Sequence, residues 1–289
     1  REAKILSDKY AVVATNPPYL NKLDARLKSY ITENYKDYSS DLFSVFMYRN
    51  FSFCKYAGYS GFMTPNVWMF ISSYKKLREY IINSKSMAVC VQLAKGAFFK
   101  EATVDICMFV LQNSSDRDGL YIRLEKFNGG MDLQNEKLLD AINGDCSYTY
   151  IRKLHDFTRI DGMPFAYWIS SKFAYIFETA KPLSKVAPPK QGLATADNNR
   201  FLRLWHELRF SSIGFGMKDC DEAEKSGMKW FPYNKGGAFR RWYGNRDYVV
   251  NWENDGYEIR NFKDDKGKVR SRPQNTNYYF KPSITWSDL

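Results

Sequence analysis

The stretch Tyr10-Ala11-Val12-Val13-Ala14-Thr15-Asn16-Pro17-Pro18-Tyr19 decides the fold of this chain. It begins as a short, continuous apolar run, which is typical of a buried strand in a parallel sheet. Two consecutive prolines cannot continue such a strand, so residues 16–19 are predicted to form a rigid loop at its carboxyl end. Ligands of open α/β sheets collect at that end of the strands. We therefore expect a functional loop here.

Apolar spacing in the following residues predicts alternating helices and strands. Intervals of three and four residues predict a helix over 41–57 and another over 74–83. The glycine-containing segment 58–65 predicts a turn and a strand, and 89–93 with 104–111 predict two strands that form a hairpin. Strands that alternate with helices favour an α/β fold with an open sheet.

Charge is distributed unevenly along the 289 residues, whose formal net charge is +11. Residues 181–289 contain 20 basic and 13 acidic side chains, whereas residues 1–180 contain 23 and 19. A basic segment attracts polyanions such as nucleic acid, although a solvated surface gives the same pattern. The 44% hydrophobic and 17% aromatic content excludes a disordered chain.

Several classes of protein are disfavoured by what the sequence lacks. No apolar run reaches the length of a membrane helix, and the amino end has no signal-peptide pattern, so we expect a bacterial cytoplasmic protein without a membrane partner. An odd number of cysteines without a C-x-x-C pair argues against a disulfide framework or a zinc knuckle. With only His155 and His206 present, we expect no metal site.

The loop after the first strand suits one kind of chemistry. The exocyclic amine of adenine is a poor nucleophile because its lone pair is delocalised into the ring. The side-chain carbonyl of Asn16 and the backbone carbonyl of Pro17 can accept both amine hydrogens and localise that lone pair. Pro17 and Pro18 stiffen the loop before the base arrives, and Tyr19 offers an aromatic face for a flipped base. The alternative is an ordinary proline turn.

The sequence resembles the amino-methylating DNA methyltransferases that modify adenine. Residues 41–51 are similar to the helix that follows the catalytic loop in that family, and 61–65 to its next strand. Residues 96–104 are similar to the later motif whose aromatic residue stacks on the flipped adenine. The resemblance therefore implies that Phe98 stacks on the base, with Phe99 as the alternative. Packing in the core of the hairpin is the other interpretation of Phe98.

The last third resembles the target-recognition region of the PglX methyltransferases of BREX phage-defence systems. The similar stretches are Lys190–Phe201, Lys229–Gly237, Trp242–Gly244, Val249–Glu253 and Tyr279–Ser287. The resemblance implies methylation of adenine in DNA as a host-protecting modification, with S-adenosylmethionine as cofactor. It also implies double-stranded DNA and other phage-defence proteins as partners.

Residues 229–252 interleave eight aromatic side chains with five basic ones. Arginine and lysine suit phosphates and guanine edges, while aromatic residues either support exposed bases or pack a small core. Arg240 and Arg241, which follow two glycines, are the first candidates to contact DNA. The remaining candidates are Lys190, Arg200 and Lys235.

The family's glycine loop for S-adenosylmethionine lies well upstream of the Asn-Pro-Pro-Tyr motif, which starts here at residue 16. We therefore expect most of the cofactor site to lie outside this chain. Ser212-Ile213-Gly214-Phe215-Gly216 is the only candidate for a permuted loop, and an ordinary glycine turn is the alternative.

The predicted fold is α/β: the carboxyl half of a Rossmann-like methyltransferase sheet, followed by a mixed α+β target-recognition region. The expected domains are 1–113 for the catalytic half, 114–186 for a connecting region and 187–289 for DNA recognition. Two other functions remain open. One is a DNA-binding specificity module without activity of its own, and the other is part of a type IIG restriction-modification enzyme.

Overall fold

A computed structural model describes residues 2–98, 104–114, 117–144, 146–241 and 243–285, with side chains from residue 4 onward. The chain divides into two compact units, Arg1–Pro182 and Leu183–Leu289. The second unit begins four residues before the boundary expected from the composition.

A six-stranded sheet forms the centre of the first unit, in the order β1-β2-β4-β3-β5-β6. Its strands are β1 Tyr10–Thr15, β2 Cys54–Pro65, β3 Ser86–Gln92, β4 Ile106–Gln112, β5 Asp118–Arg123 and β6 Thr149–Lys153. Strands β1, β2, β3 and β5 run in one direction, and β4 and β6 run against them. The α/β class predicted from the sequence is confirmed.

Helices cover both faces of this sheet. The helices of the first unit are α1 Glu2–Ser7, α2 Ala25–Asn34, α3 Leu42–Phe51, α4 Lys75–Ser84, α5 Gly130–Asn143 and α6 Ser171–Thr179. Helices α3 and α4 pack on one face through an aromatic-rich core, and α5 packs on the other. Neighbouring strand residues such as Cys90 and Val91 belong to opposite cores, as the alternation of side chains along a strand requires. Within the described residues, no helix has the length and apolar character that crossing a membrane needs.

The helix predicted over residues 41–57 is shorter than expected. Helix α3 ends at Phe51, and β2 begins at Cys54. The N–H groups of Ser52 and Phe53 bond to carbonyls only three residues back, which tightens and ends the helix. The carbonyl of Phe53 then accepts the N–H of Tyr10 at 2.7 Å, so the chain joins the sheet at this point.

Strand β1 is parallel to β2 as predicted, but the expectation that it is buried is wrong. Its residues are exposed or half-buried, and Val12 is 66% exposed. The reason is its position, because within the described residues β1 pairs with β2 alone and lies at the edge of the sheet. The residues of β1 are therefore apolar but not buried.

Residues 114–186 do not form the connecting region that the sequence predicts. Strand β5 pairs with β3 in parallel, β6 pairs with β5, and both extend the central sheet. Leu120 and Tyr121 pack into the cores on opposite faces of the sheet. The polar turns that suggest a connector lie between these elements rather than between domains.

The second unit is a small α+β structure, as predicted. It contains a three-stranded antiparallel sheet in the order β8-β10-β9 and a two-stranded pair, β7 with β11. The strands are β7 Leu193–Ala194, β8 Leu202–Leu204, β9 Trp230–Tyr233, β10 Tyr248–Asn251 and β11 Arg272–Pro273. The helices are α7 Asn198–Phe201, α8 Cys220–Lys225 and α9 Glu253–Arg260. Phe201, Phe231, Trp252 and Ile259 form the centre of its core.

Gly58 and Gly61 both lie in β2, beside β1. We predict that Gly58→Ala loosens the attachment of β1, whereas Gly61→Ala does not. A Cβ at Gly58 would lie 2.7 Å from the backbone oxygen of Ala11, whereas one at Gly61 would have its nearest neighbour at 3.9 Å. The free energy of local opening should fall by about 1–3 kcal/mol in Gly58→Ala. Amide hydrogen exchange over residues 10–15 measures this, and equal exchange in the two variants would contradict the prediction.

Candidate active site

Four parallel strands end at the same edge of the sheet. The ends of β1, β2, β3 and β5 bring Asn16, Pro65, Gln92 and Arg123 to this edge. In open α/β sheets, ligands bind at the carboxyl ends of the strands, which is this edge. The loop singled out from the sequence, residues 16–19, begins at this position.

The side chain of Asn16 is exposed to solvent, whereas Pro17 behind it is buried. The hydroxyl of Tyr19 lies 3.0 Å from Asn16 Oδ1 and 3.1 Å from the carbonyl oxygen of Met63 in β2. A hydroxyl has one proton to donate, so these two acceptors share it. Tyr19 thereby links the Asn16 side chain to the neighbouring strand.

The ring of Tyr19 is half-buried rather than open on both faces. It packs against the core and meets the Phe43 ring edge-on, with centroids 6.3 Å apart and planes at 87°. Burial raises the pKa of the Tyr19 hydroxyl to about 12, and the nearby Cys107 thiol adds to the shift. The hydroxyl therefore stays protonated and remains a donor at physiological pH.

Asp41 fixes the far end of the loop, a role that sequence reasoning missed. Its Oδ1 accepts the N–H of Leu20 at 3.0 Å and the N–H of Phe43 at 3.2 Å. The second contact caps the amino end of α3, and the first ties that cap to the residue after Tyr19. An aspartate directly before an apolar helical run is a cap signal, so the cap was visible in the sequence, whereas the tie to Leu20 was not.

Phe98 lies in the segment after β3, at the same edge of the sheet. A turn from Ala94 to Ala97 is closed by a 3.1 Å backbone hydrogen bond, with Gly96 at φ +68°. That left-handed conformation is one that glycine adopts without strain. Phe98 is 42% exposed. Three strand spacings, about 14 Å, separate the ends of β1 and β3. Phe99 lies outside the described residues.

A polar network at the ends of β3 and β5 was not foreseen from the sequence. The Tyr167 hydroxyl donates to Gln92 Oε1 at 2.7 Å, and the Gln92 amide donates to Glu125. Arg123 pairs with Glu125 at 2.6 Å and stacks on Trp168, with 3.8 Å from the guanidinium carbon to the ring centroid. Both aromatic partners come from the region that we expected to be a connector. No local pattern links them to strand ends so far back in the chain.

Three of the basic candidates share one loop of the second unit. Lys235, Arg240 and Arg241 lie in residues 234–247, which join β9 to β10 and are called here the hairpin loop. Arg240 and Arg241 are exposed, and the Lys235 ammonium lies 5.2 Å from the Tyr248 ring centroid. The structure therefore places these three in one loop.

The other two basic candidates lie elsewhere in the second unit. The guanidinium of Arg200 pairs with Glu258 at 2.8 Å and lies 5.1 Å from the Phe262 ring centroid. The ammonium of Lys190 lies 5.1 Å from the ring centroid of Tyr278. Arg200 thus has an acidic partner within the chain, whereas the three residues of the hairpin loop form no ion pair with any described residue.

The aromatic residues of segment 229–252 divide between core and surface. Phe231 and Trp252 are almost fully buried, whereas Phe239 is 86% and Tyr243 is 71% exposed. Trp242 lies outside the described residues. The core interpretation therefore holds for Phe231 and Trp252, whereas Phe239 and Tyr243 face solvent.

The glycines at 214 and 216 do not follow a strand of the central sheet. They lie in the second unit after a single 3₁₀ turn, Phe210–Ser212. A Cβ at Gly214 would lie 2.5 Å from the Phe231 ring, so glycine here allows the chain to cross a core side chain. Of the two interpretations of this pentapeptide, the geometry favours the ordinary glycine turn.

Comparison with known proteins shows which methyltransferases the chain is similar to. Residues 2–99 match the model of the Eco57I restriction-modification methylase family. The whole chain is 36% identical to the adenine-specific methyltransferase PglX of Lacticaseibacillus casei (strain Zhang). Over 99% of its length it is 31% identical to the adenine-specific methyltransferase BrxX of Escherichia coli O9:H4 (strain HS). The resemblance inferred from the motifs is confirmed.

The chain spans about a quarter of the length of these curated relatives, 24% of the first and 23% of the second. Among solved structures, it is similar to the type I restriction-modification system methyltransferase subunit from Streptococcus thermophilus. That match covers 54% of this chain and 37% of the subunit, with a TM-score of 0.44 and 18% identity.

We predict that Asp41→Ala frees the loop, whereas Asp41→Asn keeps most of its order. Alanine removes the oxygen that accepts from Leu20 and Phe43, and asparagine retains an oxygen at that position. Loss of such a cap lowers the free energy of unfolding by about 1–2 kcal/mol. Denaturation curves and hydrogen exchange over residues 16–20 check this. An alanine variant that behaves like the wild type would refute it.

Proposed function

We propose that this chain is the catalytic-loop half and the target-recognition region of an S-adenosylmethionine-dependent methyltransferase that modifies the exocyclic amine of adenine in DNA. The first unit supplies the catalytic loop and the second binds double-stranded DNA. The observation that supports this most is the position of Asn16. Its amide oxygen lies at the ligand-binding edge of the sheet and is oriented by the Tyr19 hydroxyl.

The arrangement suits activation of an aromatic amine. Asn16 Oδ1 has two lone pairs, so it can accept one amine hydrogen while it also accepts from Tyr19. The Pro17 carbonyl accepts the second hydrogen. With both hydrogens held, the nitrogen lone pair is directed out of the ring towards the methyl donor. Because Pro17 is buried and Asn16 is tied to Tyr19, the acceptors are in place before the base enters.

Aromatic contacts complete the proposed base site. Tyr19 and Phe98 contact the two faces of the flipped adenine, with Phe99 as the alternative to Phe98. Phe98 is partly exposed at the edge where Tyr19 also lies, which supports this assignment. Extruding a base costs a few kcal/mol of stacking, and aromatic contacts in the pocket offset this cost.

The cofactor would supply an electrophilic methyl group. The described residues at this edge include no glycine-rich loop that follows a strand, since Gly214 and Gly216 lie in the second unit. An apolar strand that is exposed on its faces and along one edge, as β1 is, requires further cover. We place most of the S-adenosylmethionine site in residues that pair with this outer edge.

The similarity to PglX and BrxX supports a setting in phage defence. As in BREX phage defence, the methyl mark would protect host DNA in the bacterial cytoplasm, and other proteins of the defence system would be partners. A DNA-binding specificity module without activity is the competing function, supported by the basic hairpin loop alone. The type IIG alternative would require a nuclease, which no feature of the described residues favours.

We predict that Asn16→Ala in the full-length protein lowers methyl transfer at least about 100-fold, because it removes a preorganised acceptor. Asn21→Ala, which changes another exposed asparagine a few residues on, should leave transfer unchanged. Transfer of labelled methyl groups from S-adenosylmethionine to unmethylated DNA measures both. DNA affinity should remain within about threefold of the wild type in each, since neither change removes a charge. Retained transfer in Asn16→Ala, with DNA binding intact, would overturn the catalytic role proposed for Asn16.

We predict that the Arg240→Ala, Arg241→Ala double variant binds duplex DNA with a weaker dependence on salt. For every phosphate that the variant no longer neutralises, the slope of log affinity against log salt should decrease by about 0.9. Arg209→Ala, which removes an exposed charge outside the hairpin loop, serves as the matched control. Fluorescence anisotropy between roughly 50 and 200 mM salt checks this. An unchanged slope in the double variant would remove these arginines from the interface.

A further inference from the structure

Among the described residues of the hairpin loop, the most exposed aromatic side chain is a phenylalanine. Phe239 is 86% exposed, so its ring contributes almost nothing to the core of its own unit. A phenylalanine ring has no polar atom that water can satisfy, and leaving it exposed costs about 1.5–3 kcal/mol relative to burial. Such a ring can bury its apolar surface against a partner.

The loop around Phe239 is held in shape by contacts of its own. The Asn245 amide donates to the carbonyl of Ala238 at 3.1 Å and links residues on either side of Phe239 and Arg240. The Arg240 side chain lies across Gly244, where a Cβ would lie only 2.6 Å from it. The guanidinium of Arg246 donates to the Tyr243 hydroxyl at 2.9 Å and lies 4.1 Å from the centre of its ring. A preorganised loop loses little conformational entropy on binding.

Charge around the ring points to an anionic partner. Residues 234–247 contain four basic side chains and one acidic one, Asp247. Arg240 and Arg241 follow Phe239 directly in the chain. This arrangement is complementary to duplex DNA. Its stacked bases offer apolar surface to a phenylalanine ring, and the phosphates on either side offer negative charge to arginines.

We propose that Phe239 inserts as a wedge between adjacent base pairs of duplex DNA, while Arg240 and Arg241 bind the flanking phosphates. This inference rests on the proposed function, because it assigns a mode of contact to its DNA-binding unit. A wedge partly unstacks one base step and bends the duplex, and apolar side chains such as Phe and Leu insert in this way.

The experiment uses the full-length protein and a set of duplexes that contain its methylation site. Each duplex has 2-aminopurine at a different position, and its fluorescence rises where a base loses its stacking partners. We expect one signal at the target adenine and a second at the step that Phe239 enters. Phe239→Ala should abolish the second signal and keep the first. Phe239→Leu should retain both.

The matched control is Tyr257→Ala, which removes another exposed aromatic residue, 69% exposed, from the same unit. It should retain both signals. We also expect Phe239→Ala to weaken binding to the intact duplex by about 10-fold. A single mismatch at the wedge step should strengthen binding by the wild type, because the mismatch removes part of the unstacking cost, and should not strengthen binding by Phe239→Ala.

Failure of the wedge and failure of the proposed function give different results. The wedge is overturned if the wild type methylates DNA and shows the target signal, but the second signal is missing or persists in Phe239→Ala. The proposed function fails, and the wedge with it, if the wild type neither methylates nor binds duplex DNA. Loss of the second signal in Tyr257→Ala as well would also overturn the assignment to Phe239.

Discussion

The pairing of β1 with β2 is the constraint on which the candidate site depends. Within the described residues, β1 is attached to the sheet along one side only, and the residue that follows it is Asn16. The Tyr19 hydroxyl reinforces this attachment by reaching the carbonyl of Met63 in β2 as well as the Asn16 amide. The position of Asn16 is thus fixed by backbone pairing first and by one shared hydroxyl proton second.

The two units differ in what stabilises them and in what they expose. The first has hydrophobic cores on both faces of a sheet. The second has a smaller core of aromatic residues and exposes basic and aromatic side chains on a loop between two short strands. This division suits a rigid reactive loop on one unit and a DNA-contacting surface on the other.

Sequence patterns located most elements of the first 112 residues, because apolar periodicity and proline reflect local preferences. The predictions from these patterns were wrong where pairing between distant strands decides where an element ends or which sheet it joins. The helix predicted over 41–57 ends early because Phe53 enters the sheet beside Tyr10. Residues 114–186 looked like a connector because each strand is short and bounded by polar turns. Only pairing with β3 shows that β5 belongs to the sheet.

The sequence by itself determined the class of loop, its place after a strand and the family it resembles, since these depend on residues adjacent in the chain. Tertiary structure alone decided that Tyr19 holds Asn16 against β2, that Asp41 anchors Leu20, and that Arg123 and Trp168 meet beside Gln92. It also decided that β1 is exposed and that Phe239, unlike Phe231, faces solvent. Burial and hydrogen bonds between distant residues depend on which strands pair, and local sequence does not encode that pairing.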